Sequence, residues 1–116
     1  MNQNTTSEIH LKIDLDDSKI PKRITWKASD TGEREKECKA FMLSIWDAAE
    51  KNTLRIDLWT KDMRIDEMTS HFFQTLVTLA ESYERATSVK IAGDVKQFCQ
   101  GLSGKIEQQL SIGKQS

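Results

Sequence analysis

The side chains in this sequence that could do chemistry are few: His10 and His71, Cys38 and Cys99, and the adjacent carboxylates Asp16-Asp17 and Asp66-Glu67. His10 and Asp14 share the polar face of an alternating segment. They are two same-face steps apart, so at about 3.4 Å per residue they stand over ~13 Å from each other and cannot share a metal unaided. His71 follows Glu67 by one helical turn, a spacing at which the two can touch. A zinc site needs at least three protein ligands, so this pair reads as a surface histidine beside a carboxylate. Neither cysteine has C-x-x-C spacing or a nearby histidine to activate a thiolate, and both read as free packing residues. Asp16-Asp17 suits a turn and Asp66-Glu67 the first turn of a helix. Gly101-Leu102-Ser103-Gly104-Lys105 lacks the spacing of a phosphate loop and follows no strand. The expectation is a protein with no catalytic residues, no cofactor and no metal, and so not an enzyme.

The elements that carry these residues follow from periodicity. Glu8 to Asp16 alternates, with Ile9, Leu11, Ile13 and Leu15 on one side and His10, Lys12 and Asp14 on the other, which predicts a half-buried strand. Ile24, Trp26 and Ala28 alternate with Arg23, Thr25 and Lys27 in a second strand, and Pro21 belongs to the connection or a strand edge. Ser29 to Lys36 reads as an exposed loop. Residues 38–46 are apolar on both sides, as in a strand covered on both faces. Residues 53–59 alternate again, and the short DAAEKN connection predicts a hairpin. The period then changes. Met68, Phe72, Leu76, Leu79 and Tyr83, extended by Ala80 and Ala86, form the stripe of an amphipathic helix from about Ile65 to Ala86, expected to be the core. Thr87-Ser88 breaks the pattern and offers a cap for a second helix from about Ile91 to Leu110. The fold class expected is α+β: a four-stranded antiparallel sheet followed by two C-terminal helices packed on one face, β-β-β-β-α-α. Residues 8–110 form a single α+β domain on this reading, with disordered tails at 1–7 and 111–116.

Composition narrows the function classes. The chain has 116 residues, with 17 lysines and arginines against 18 aspartates and glutamates for a net charge of −1, and 37% hydrophobic residues. Balanced charge argues against a sequence-independent nucleic-acid binder. No apolar run approaches the ~18–20 residues of a membrane span, so no direct membrane insertion is expected. The opening MNQNTTSE has neither the basic nor the apolar region of a secretory signal. With two unpaired cysteines this makes the cytoplasm the expected location.

Three tryptophans are many for so polar a chain. Alternation puts Ala40, Met42, Trp46 and Trp59 on one side of the hairpin, with Arg55 and Asp57 beside them. Phe41, Leu43 and Ile45 fall on the other side with Leu54, Ile56 and Leu58. Two readings of the tryptophan face stand side by side: an interface, and rings that simply cap the sheet edges. As an interface its residues are Met42, Trp46, Arg55, Asp57 and Trp59, and its occupant is a second copy in a homodimer or a different protein.

The strings NTLRIDLWTKDMRIDEM (52–68), HFFQTL (71–76) and YERAT (83–87), with KAFMLSIWD (39–47) and IPKRITWKASD (20–30), resemble the gliding-motility GldC family of Bacteroidetes. The resemblance covers about residues 8–100. Where the family often has proline this chain has Arg64, and the segment after Gly101 matches less well. The resemblance implies a small cytoplasmic accessory protein of the gliding-motility apparatus, with protein partners in the motility and secretion machinery and no assigned catalytic residues. The alternative is a small SecB-like chaperone or holdase for exported clients, which rests on element order alone.

Overall fold

The computed structural model describes residues 5–32 and 34–115. Residues 1–4 of the expected N-terminal tail, and residue 116 of the C-terminal one, lie outside the described residues. The chain divides into two compact units, Met1–Arg64 and Ile65–Ser116.

The first unit is all strand. β1 (Ile9–Leu15) and β2 (Pro21–Ala28) form an antiparallel hairpin. Asp16 builds its turn: one carboxylate oxygen accepts the N–H groups of Ser18 (2.8 Å) and Ile20 (3.0 Å), and Lys19 takes a left-handed φ of 63°. A register shift after Asp14 sets Leu15 opposite Pro21. Pro21 is the first residue of its strand, a place where the missing donor costs no ladder bond. Ile24, opposite Ile13, is 0% exposed and is the largest fully buried side chain among the described residues.

The expected single four-stranded sheet is corrected to five strands in two sheets. A short β3 (Lys36–Cys38) extends the first sheet in the order β1-β2-β3, with Cys38 opposite Ile24 and Lys36 opposite Trp26. β4 (Ala40–Asp47) and β5 (Asn52–Trp59) form a separate two-stranded sheet. The division falls at Lys39, whose carbonyl accepts the N–H of Thr60 at 2.8 Å. Residues before it pair with β2 and residues after it pair with β5. No glycine or proline marks this point, so residues 38–46, apolar on both sides, read as one strand. Past β5, Lys61 donates its N–H to the Pro21 carbonyl (3.0 Å) and its ammonium to Asp16 (3.0 Å), tying the end of the hairpin to the start of β2.

The second unit is a helix pair, α1 (Ile65–Thr87) and α2 (Ala92–Gln115). α1 matches its predicted span to within a residue, whereas α2 continues past the predicted end near Leu110. Within the predicted stripe of α1 the outcome is mixed: Phe72, Leu79 and Tyr83 are exposed, whereas Ala80 is buried as expected. Its buried counterparts on α2 are Ala92 and Cys99. The buried positions of this pair are thus small, while several large side chains of the stripe stay at the surface. The cap of α2 also differs from expectation. Glu84, in the last turns of α1, accepts the N–H groups of Ile91 (2.7 Å) and Ala92 (2.5 Å), satisfying donors that an α-helix start leaves open. Ser88, at a left-handed φ of 66°, makes the turn that lets this carboxylate reach. Thr87 instead donates to the carbonyl of Tyr83 (2.8 Å) and accepts from Val89 (3.1 Å).

Candidate functional site

The β4–β5 hairpin fixes the geometry of the tryptophan face. Asp47 closes the turn, its Oδ1 accepting from Ala49 (2.9 Å) and Glu50 (3.1 Å), and Lys51 adopts a left-handed φ of 54°. This turn sets Asp47 opposite Asn52, and the rest of the register follows: Trp46 opposite Thr53, Ser44 opposite Arg55, Met42 opposite Asp57 and Ala40 opposite Trp59. Side chains of paired residues share a face, so this ladder holds every residue of the candidate interface. The tryptophans sit at diagonally opposite corners, Trp46 64% and Trp59 53% exposed.

Between those corners lies an ion pair. Arg55 grips Asp57 with two donors, Nε to Oδ2 at 3.1 Å and Nη2 to Oδ1 at 2.7 Å, and gives Nη1 to the hydroxyl of Ser44 at 2.5 Å. Two-pronged pairing of this kind fixes orientation as well as charge. At this exposure it adds little to stability. Its effect is to hold a flat polar centre between two aromatic rings. Ser44 was missed in the sequence. The signal for it was the hairpin register, which sets a small hydroxyl across from Arg55. A cleft of about 230 Å³ adjoins Trp59 and Asp57 and is lined also by Ile20, Pro21, Leu58 and Lys61. It is smaller than the usual small-molecule site.

The opposite face pairs Phe41 with Leu58, Leu43 with Ile56 and Ile45 with Leu54, as alternation predicts. On this face Ile45, Leu54 and Ile56 are each about half exposed, less buried than the sequence predicts.

The other reactive side chains are not brought together. His10 lies 3.9 Å from Glu8, a loose exposed contact. His71 is half-buried, with its Nε2 enclosed and without a hydrogen-bond partner, so it is not the surface histidine expected. Among the described residues no group of three or more His, Cys, Asp or Glu side chains is placed to hold a metal ion. Cys38 and Cys99 are free thiols. Partial burial raises the Cys38 thiol above its ordinary range, which keeps it in the unreactive form. Asp16 is held below the usual carboxylate range by the N–H of Ile20 and by Lys61, as its structural turn role requires. Residues 101–105 are helical, part of α2, and form no loop. No helix among the described residues is long and apolar enough to cross a membrane.

No curated protein and no solved structure matches this chain. Residues 21–108, which span β2 to most of α2 and include the whole tryptophan face, match the model of the gliding motility-associated protein GldC-like family, and the chain belongs to that family.

Proposed function

We propose that this protein is a non-enzymatic, cytoplasmic accessory protein of the gliding-motility apparatus that works by binding a protein of that machinery through Met42, Trp46, Arg55, Asp57 and Trp59. The observation that carries the reading is the pair of tryptophans more than half exposed on one sheet face, around an ion pair whose charges already satisfy each other. Tryptophan is the residue most enriched where binding energy concentrates. Its ring buries a large area at low entropic cost, and its indole N–H finds a partner at a wet rim. Arg55 and Asp57 neutralise one another before any partner arrives, so covering them costs less desolvation than covering isolated charges. Family membership supplies the setting, gliding motility. The two free thiols fit a reducing compartment.

The test is crosslinking in the native host followed by purification of the tagged full-length chain, alongside the Trp46→Ala/Trp59→Ala variant. The reading expects one or two envelope-machine components crosslinked to the wild type and lost from the variant. Components retained equally by the variant would overturn the face. A broad set of unfolded exported clients would favour the holdase reading instead.

A further inference from the structure

We infer that two copies of this chain pair through β1, antiparallel across a two-fold axis at Lys12, joining their three-stranded sheets into one. Among the described residues β1 is an edge strand, with β2 as its one neighbour in the sheet. Ser29 donates its N–H to the carbonyl of Glu8 (3.0 Å), and Asp16 donates its N–H to the carbonyl of Ile20 (2.9 Å). Even-numbered residues of β1 therefore turn their backbone groups toward β2, and alternation turns those of Ile9, Leu11, Ile13 and Leu15 outward. This open row is only lightly protected, by the charges of Lys12 and Asp14 and the register shift at its end: it has no proline, and Ile9 at its start is 75% exposed.

The register follows from the sequence of the strand. With the axis at Lys12, Ile9 faces Leu15 of the second copy and Leu11 faces Ile13, so every outward residue meets another outward residue and the exposed Ile9 and Leu15 side chains cover each other. On the polar side His10 faces Asp14 of the second copy; each Lys12 faces its own symmetry mate, a like-charge contact offset by an Asp14 that lies diagonal to it across the seam, within reach of a long side chain. Glu8 falls opposite Asp16, whose charge is already engaged by Lys61 at 3.0 Å. Moving the axis to Leu11 sets Glu8 against Asp14 and leaves Leu15 without a partner. A slip that mixes odd with even positions turns apolar side chains onto the polar face. Closed two-fold pairing also explains how so open an edge avoids endless strand addition.

The seam is separate from the tryptophan face, so Trp46→Ala/Trp59→Ala leaves the dimer intact whatever that variant does to partner binding. The first measurement is light scattering on the full chain, which should give twice the 13.3 kDa chain mass. The second is oxidative crosslinking of Lys12→Cys and His10→Cys, with the wild type as baseline for the native thiols and the bond mapped by peptide mass. Position 12 meets itself with Cβ atoms about 4.5–5.5 Å apart, close to what a disulfide needs, whereas two copies of position 10 are ~13 Å apart. Lys12→Cys should crosslink to itself at least about tenfold faster than His10→Cys. Asp14→Lys should weaken the dimer, and adding His10→Asp should restore it. A monomer at the highest soluble concentration overturns the inference, and so does a dimer in which positions 10 and 12 crosslink alike.

Discussion

Replacing Ile24 with alanine removes three carbons from a side chain that has no exposed surface. Ile24 lies between its cross-strand partners Ile13 on β1 and Cys38 on β3, at the centre of the three-stranded sheet. At about 0.8 kcal/mol per buried methylene the transfer loss is ~2.4 kcal/mol. The cavity left in a small sheet with neighbours on both sides raises the cost to about 3–4 kcal/mol. Stability of a chain this size is on the order of 5–15 kcal/mol, so the variant should be visibly weakened yet foldable. Ile56 provides the control, since it is also an isoleucine in a strand but is half exposed. Ile56→Ala carries the same loss of β-propensity and only about half the transfer term, near ~1.2 kcal/mol, with no cavity. The assay is urea unfolding of both variants and the wild type at one protein concentration, with the slope checked for constancy. The reasoning predicts that Ile24→Ala loses about 2 kcal/mol more than Ile56→Ala. Losses equal within ~0.5 kcal/mol would refute it, because burial would then not distinguish the two sites.

Glu84→Gln should loosen the start of α2, read as faster amide hydrogen exchange at Ile91 and Ala92 with little change at the centre of α1, because the carboxylate accepts both N–H groups. Stability should fall at acid pH. The N–H of Ala92 lowers the Glu84 carboxyl and the N–H of Ile20 lowers that of Asp16, so the unfolded chain takes up protons first as pH drops, and the contribution is full above the ordinary carboxylate range and lost below it. Unfolding curves of Asp16→Asn/Glu84→Gln across pH 3–7 should show a flatter acid limb than the wild type, and identical limbs would contradict the assignment. A thiol count on protein unfolded under exclusion of air should return two per chain, and an intramolecular disulfide would contradict the reducing location.

What could be read from the sequence was whatever side-chain period alone decides. β1, β5 and α1 fall within a residue or two of their predicted ends, because alternation and the 3.6 period are unbroken there. The same rule put Trp46 and Trp59 on one face, since Asp47 closes a turn that preserves parity. The break at Lys39 was invisible because it is a change of backbone partner, from β2 to β5, with no glycine or proline to mark it. The stripe on α1 misled because amphipathicity marks an apolar face and not what covers it. Of the residues on the two stripes, Ala80 and Cys99 are buried while Phe72 and Leu79 are exposed. Glu84 as the cap of α2 lies seven residues before Ile91, outside any local capping pattern, and becomes apparent only with the turn at Ser88 in place. Ser44 needed the hairpin register before its link to Arg55 had meaning.

The central question is whether the tryptophan face serves gliding. In a gliding bacterium whose own copy of the gene is deleted, the Trp46→Ala/Trp59→Ala allele should be expressed to the wild-type level and fail to restore cell movement. Loss of more than ~2 kcal/mol at an interface hot spot is about a thirtyfold loss of affinity. A single-residue control off this face, Thr78→Ala on α1, should restore it. Wild-type gliding speed with the double variant, at matched protein level, would contradict the account.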